Sequence, residues 1–254
     1  MERKCHFRKR AISQNLIFSL LFLIGFQLQA NPVKTANPAS YPEPKSNTKE
    51  LPLTILPVSG DNDMPMVFFV SGDGGWIKTD AGVSKLLNEH GMPVVGLDAL
   101  KYFWKKKTPD GTAAEFSKII RHYMQVWNRH AFILAGYSFG ASVVPFIANR
   151  LNGGLKDSLK AVYCFSPEEK GDFKVRLSDF LYRKYGGKYK VLPELKKLSW
   201  IKPVCAFGKG EDKNIRKNFL TSGLRIELLP GKHHYDDKFS RVANVILNDF
   251  PTRQ

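Results

Sequence analysis

Ser138 lies in Gly136-Tyr137-Ser138-Phe139-Gly140, a G-x-S-x-G run. A serine hydroxyl is a weak nucleophile, so it opens an ester only if a base takes its proton and an acid orients that base. The run sits between an apolar stretch of strand length, 131–135, and an apolar helical pattern, 141–151, which is the strand–turn–helix context that a nucleophile elbow requires. In that turn the serine projects its oxygen, and side chains at 136 and 140 would collide with the neighbouring strand and helix. The helix that follows points its amino terminus at the serine, so the Phe139 N–H faces a developing oxyanion. A glycine-rich turn capped by a serine is the bland alternative.

In sheets carrying such an elbow the chain order is serine, acid, histidine. Only two histidines follow Ser138, and both stand in Leu229-Pro230-Gly231-Lys232-His233-His234-Tyr235, after an apolar run at 225–229. His234, followed directly by an aromatic residue, is the favoured base, with His233 its rival. The acid belongs on the loop after the preceding strand, 204–207, where Glu211 and Asp212 stand side by side. Asp212 is the leading candidate and Glu211 the alternative, unless either merely caps a helix starting near Asn214. A second oxyanion donor belongs to the Gly-rich turn Ser71-Gly72-Asp73-Gly74-Gly75-Trp76, by position the Asp73 N–H. That turn has neither the Walker spacing nor the dinucleotide spacing of a phosphate cradle.

Strand-length apolar runs at 53–58, 66–70, 93–97, 131–135, 161–165, 204–207 and 225–229 position these residues. They alternate with helical patterns at 81–89, 112–128, 141–151 and 239–248, the signature of βαβ units and a buried parallel sheet flanked by helices. The segment 166–200, polar and basic, reads as an insertion or cap above the sheet. One α/β domain over 51–254 is the economical reading, preceded by a Pro-, Asn- and Ser-rich linker at 31–50.

The 254 residues include 39 Lys+Arg against 23 Asp+Glu, a net charge of +16, and 43% are apolar, enough for a core and too many for general disorder. Three cysteines exclude a disulfide scaffold; Cys164 and Cys205 stand on consecutive expected strands as buried free thiols. A polytopic membrane protein is excluded because only the run 16–26 approaches spanning length. That run follows five bases and one acid in residues 1–10 and leads through Gln27-Leu28-Gln29 to a small residue, Ala30, so 1–30 reads as a secretory signal, with an uncleaved anchor as the alternative. Cleavage would leave +12 on the mature chain, a charge that attracts polyanions. No nucleic-acid-binding motif accompanies it, so anionic phospholipid is the expected partner rather than nucleic acid, with a basic surface kept for solubility as the alternative.

Four blocks, VFFVSGDGGW (67–76), GLDALKYFWKKKTPD (96–110), AGYSFGASVVPF (135–146) and LPGKHHYDD (229–237), together resemble the bacterial AcvB/VirJ virulence protein family over roughly 52–250. The resemblance implies an exported single-domain α/β-hydrolase that cleaves lysyl-phosphatidylglycerol in the periplasm, and for some members a link to type IV secretion, hence a secretion-system protein as partner. It implies Ser138 as nucleophile, Asp212 as acid and the His233/His234 pair as base. Lys232 departs from it, because the family tends to have a second glycine there. Such a site needs no metal or organic cofactor, and a monomer is expected. A lysyl group brings two ammonium charges. Asp73, Asp98 and Glu168 lie on loops that could meet them, and Trp76, Tyr102 and Trp104 could pack the lysyl stem through cation–π contacts, with plain core packing as the alternative for the aromatics. Lys101, Lys105, Lys106 and Lys107, with Arg183, Lys184, Lys188 and Lys190, could seat the protein on lipid phosphates. A generic esterase or thioesterase, and a non-catalytic secretion factor, are the rivals.

Overall fold

The computed structural model describes residues 51–60, 62–176 and 187–251. The expected signal and linker, and Arg183 and Lys184, lie outside them. Seven strands form one sheet: β1 Leu53–Leu56, β2 Met66–Val70, β3 Val94–Leu97, β4 Phe132–Tyr137, β5 Leu159–Phe165, β8 Val204–Gly208 and β9 Arg225–Leu229, in the order β1-β3-β2-β4-β5-β8-β9. β1 runs antiparallel to β3, and every other pair is parallel. A parallel sheet is covered on both faces, which is why β2 (MVFFV) and β4 (FILAGY) are apolar without a break and buried throughout.

Alternation along each strand sorts the core into two layers. Met66, Phe68, Val70 and Leu134 face helices α3 (Pro109–Val126) and α4 (Phe139–Ala148), while Val67, Phe69, Ile133 and Ala135 face α1 (Lys78–Glu89) and α8 (Phe239–Leu247). Each such Phe, Leu or Ile removed from water contributes roughly 1.5–3 kcal/mol. The two layers hold the sheet rigid, and its carboxyl edge is where loops can carry chemistry.

All seven expected strands are present, with ends shifted by one or two residues; β4 continues to Tyr137, which brings the sheet up to Ser138. Four short helices carry no periodicity long enough to read: α2 Ala99–Tyr102, α5 Gly154–Ser158, α6 Val191–Lys196 and α7 Lys213–Leu220. In the expected insertion, β6 (Lys170–Gly171) pairs antiparallel with β7 (Tyr189–Lys190). This ribbon stands close over α4, because a Cβ on Gly171 would lie 3.0 Å from the Ser142 carbonyl oxygen. No helix among the described residues is long and apolar enough to cross a membrane.

Candidate active site

β4 extends its ladder one step past its end, the Ser138 N–H donating to the Phe165 carbonyl at 2.8 Å, before the chain reverses into α4. Ser138 makes the reversal at φ 53°, ψ −111°. For a residue with a Cβ that conformation costs on the order of 1–3 kcal/mol, and the packed strand and helix on either side hold it. The two flanking glycines are sterically required. A Cβ on Gly136 would lie 2.4 Å from the Gly140 carbonyl carbon, and one on Gly140 would lie 2.2 Å from the Val70 carbonyl oxygen. These are backbone atoms of the sheet and helix, so nothing nearby can yield.

The Ser138 hydroxyl opens into a cleft of about 790 Å³. His233 Nε2 lies 3.0 Å from Ser138 Oγ, and His233 Nδ1 lies 3.2 Å from Glu211 Oε2. The three side chains come from the turn after β4, the loop after β9 and the loop after β8. Glu211 Oε1 accepts from the Ser166 hydroxyl at 2.6 Å and the Gly208 N–H at 2.5 Å. Burial pushes the Glu211 carboxyl upward, but the bonds to His233, Ser166 and the Gly208 amide outweigh it and hold the group below its ordinary value. A carboxylate ionised in this way keeps the proton of a neutral His233 on Nδ1, leaving Nε2 to accept one from Ser138.

This geometry corrects two expectations. Asp212 does not orient the imidazole; it is the N-cap of α7, its Oδ1 accepting from the Asn214 N–H at 2.9 Å. The capping alternative therefore describes Asp212, while Glu211 turns inward with its side chain only 3% exposed. His234 is not the residue beside Ser138 either. Its Nδ1 lies 2.8 Å from the Tyr137 hydroxyl, which also donates to the His233 carbonyl at 3.1 Å. A carbonyl can only accept, so the phenol proton is engaged there and His234 Nδ1 is the donor to the phenol oxygen. Tyr137 and His234 thus tie the histidine loop to the end of β4, with the Tyr137 phenol held neutral by burial.

At the facing wall, the Gly75 N–H donates to the Gly72 carbonyl at 3.1 Å, closing a four-residue turn with Asp73 and Gly74 at its tip. Gly72 abuts the Tyr137 ring and Ser138, so the turn borders the Ser138 hydroxyl. Phe139 begins α4, in the first turn where N–H groups lack intrahelical partners. Both Asp73 and Phe139 line the cleft.

Of the residues expected to meet the lysyl group, Asp73 and Glu168 line the cleft and Trp76, Asp98, Tyr102 and Trp104 do not. Trp76 lies across the sheet face, where a Cβ on Gly96 would meet its ring at 2.0 Å, and it packs edge-on against Phe69. Asp98 caps α2 by accepting from the Lys101 N–H and pairs with the Lys101 ammonium at 3.1 Å. Tyr102 is buried beside Phe103 and Phe116, its hydroxyl donating to Glu115. Trp104 faces solvent outside the cleft. Among the described residues, the cleft instead carries Asp73, Glu168, Asp172, Glu211 and Asp212 against Lys170 and Lys232.

Ser166 and Tyr235 were not anticipated. Ser166, at φ 53° just past β5, donates a hydrogen bond to Glu211 and lies 2.7 Å from the Tyr235 hydroxyl, which is within reach of the Ala206 carbonyl at 3.1 Å. Position was the available signal: Ser166 ends the strand beside the elbow strand, where a short polar side chain reaches the neighbouring loop.

The comparisons agree with this geometry at the level of fold. No curated protein matches the chain. Solved structures similar to it are Est1E from Butyrivibrio proteoclasticus (15% identity, TM-score 0.54, 78% of this chain and 90% of that one) and a lipase-esterase related protein from Clostridium acetobutylicum ATCC 824 (16%, 0.55, 78% and 98%). The enol-lactonase from Burkholderia xenovorans LB400 is a third (12%, 0.54, 79% and 95%). These similarities, with the sheet order and the elbow, identify an α/β-hydrolase fold. The family model described as bacterial virulence protein (VirJ) matches residues 63–254, most of the described domain, and the chain belongs to that family.

Proposed function

We propose that the protein is a periplasmic serine hydrolase that cleaves the aminoacyl ester of lysyl-phosphatidylglycerol, with Ser138 as nucleophile, His233 as general base and Glu211 as the orienting acid. The observation that carries this reading is the unbroken hydrogen-bonded chain from Ser138 Oγ through His233 to Glu211 at the floor of an open cleft. A glutamate replaces the aspartate that the family resemblance implied. The periplasmic placement rests on the charge and hydropathy of residues 1–30.

In the first half-reaction His233 Nε2 takes the Ser138 proton as Oγ attacks the ester carbonyl carbon. The Phe139 and Asp73 amides, with the α4 amino terminus, stabilise the oxyanion. Collapse breaks the bond to the glycerol oxygen, which receives the proton from His233 and departs as phosphatidylglycerol. Water then gives a proton to His233 and attacks the lysyl-serine ester; His233 returns that proton to Oγ, and lysine is released. Preference for a cationic acyl group is supported by the excess of carboxylates over lysines in the cleft of a protein whose net charge is +16.

The test is turnover of lysyl-phosphatidylglycerol by the purified protein and by Ser138→Ala, with p-nitrophenyl butyrate as comparator. The expected result is release of lysine by wild type and a loss of roughly 10⁴-fold or more in the variant. Preference for the simple ester would replace the lipid by a generic esterase substrate, and equal activity of both proteins would remove the serine mechanism. The non-catalytic secretion role is favoured only if Ser138→Ala supports in cells everything that the wild type does.

A further inference from the structure

Two tryptophans are exposed, Trp104 at 52% and Trp200 at 45%, and they stand at opposite edges of the sheet. Trp104 follows β3 and α2, at the carboxyl edge where the cleft opens. Trp200 precedes β8, at the amino edge, and is covered by the Lys156 ammonium 5.0 Å from its ring centroid.

The turn carrying Trp104 is held from both sides. Phe103 behind it is fully buried, its ring 5.1 Å from that of Phe139, and its carbonyl accepts from the Val175 N–H at 2.9 Å. The Lys107 N–H donates to the Phe173 carbonyl at 2.8 Å. Phe173 immediately follows Asp172 on the cleft wall, so the turn is tied to the segment that borders the cleft. Four lysines, Lys101, Lys105, Lys106 and Lys107, stand within three residues of Trp104 in the chain. Lys101 is neutralised by Asp98 and Lys107 by Glu115, whereas Lys105 and Lys106 are exposed with no carboxylate partner among the described residues. A large apolar ring exposed to solvent and followed directly by two unneutralised cations matches the boundary of an anionic bilayer. Indole partitions to the headgroup level there, and lysine meets phosphate.

We propose that Trp104, Lys105 and Lys106 form a membrane-docking element that sets the cleft against an anionic phospholipid surface. The element deepens the reading of the site above and rests on it only for the claim that the docked lipid is also the substrate. Docking beside the cleft would let an ester at the headgroup reach Ser138 while the acyl chains stay in the bilayer.

The experiment is sedimentation of the folded protein with vesicles of phosphatidylglycerol and phosphatidylcholine, and with phosphatidylcholine alone. Proteins compared are wild type, Trp104→Ala/Lys105→Ala/Lys106→Ala and Trp200→Ala, with melting curves confirming that each folds. Wild type should bind the anionic vesicles, less so at high salt, and not the neutral ones. The triple variant should partition at least roughly 25-fold more weakly, about 5-fold for each lysine before the indole is counted. Trp200→Ala should bind like wild type, and the triple variant should hydrolyse water-soluble p-nitrophenyl butyrate at the wild-type rate. Failure of wild type to bind, wild-type binding by the triple variant, or an equal loss in Trp200→Ala overturns the docking element. If binding depends on the element but no lysyl-phosphatidylglycerol is hydrolysed, the element stands and the substrate reading falls.

Discussion

Buried polar side chains gather at two parts of the sheet's carboxyl edge, and they serve different ends. After β4, β5, β8 and β9, side chain meets side chain: Ser138 to His233, His233 to Glu211, Glu211 to Ser166, Ser166 to Tyr235. After β2 and β3, side chain meets backbone. Ser71 Oγ accepts from the Ala99 N–H, Asp98 from the Lys101 N–H, and Asp80 from the Ile77 N–H. The first part is a hydrogen-bond relay in which the ionised Glu211 orients the imidazole of His233, so that in the proposed reaction the one proton to move would pass between Ser138 and His233. The second is a set of caps and turn braces in which side-chain oxygens accept from backbone donors. An acidic residue on a strand-end loop is therefore no guide to chemistry until its hydrogen bonds are traced, because unsatisfied backbone donors compete for the same oxygens.

The strongest way to break this contrast is at the adjacent histidines. His233→Ala should lower kcat on p-nitrophenyl butyrate by roughly 10⁴-fold or more, whereas His234→Ala, which loses a brace to Tyr137, should cost less than about tenfold. The reverse ranking would dissolve the relay as described.

The adjacent acids sharpen it. Glu211→Gln should cost roughly 10³–10⁴-fold in kcat, since it loses the charge that holds the Nδ1 proton, while Asp212→Asn keeps its cap and should stay within about threefold. Ser166→Ala, one step behind, should lower kcat about tenfold at constant KM. It should also unfold at higher pH on acidification. Glu211 is held below its unfolded value, so its stabilisation is present above about 4.3 and lost as pH falls through the folded value; without the Ser166 donor that interval narrows.

The smallest effect belongs to the bracing region. Asp80 is fully buried, and desolvation, only partly offset by backbone N–H donors, lifts its carboxyl to about 7. Its folded value lies above its unfolded one, so the stabilisation is complete below about 4 and is lost as pH rises through about 7. Between pH 5 and pH 7 the Tm of wild type should fall by about 2–4 °C more than that of Asp80→Asn, on the order of 1 kcal/mol. Parallel Tm–pH profiles for the two proteins would show that Asp80 is ionised throughout.

Features that depend on neighbours in the chain were legible in the sequence. The elbow at 136–140 could be read because a strand and a helix can join in so tight a reversal only through glycines. The core strands were readable as unbroken apolar runs, since a parallel sheet covered on both faces tolerates nothing else. Trp76, Tyr102 and Trp104 were not readable in this way: an aromatic residue near a site satisfies the same pattern whether it lines the cleft, fills the core or faces solvent. α7 was visible only through its cap, because eight residues with an exposed face leave little periodicity.

By itself, the order of residues in the chain determined the α/β sheet, the strand that presents Ser138, and the two loops from which base and acid had to come. Tertiary structure alone decided which member of each adjacent pair faces the Ser138 side of the cleft. Consecutive side chains in a loop leave the backbone in different directions, and those directions follow from dihedral angles set by packing. Tyr235, Asp236 and Asp237 at positive φ turn the histidine loop, and Gly208, whose Cβ would lie 2.3 Å from the Lys232 carbonyl oxygen, presses the acid loop against it. That contact joins residues far apart in sequence, and it is what turns Glu211 and His233 inward.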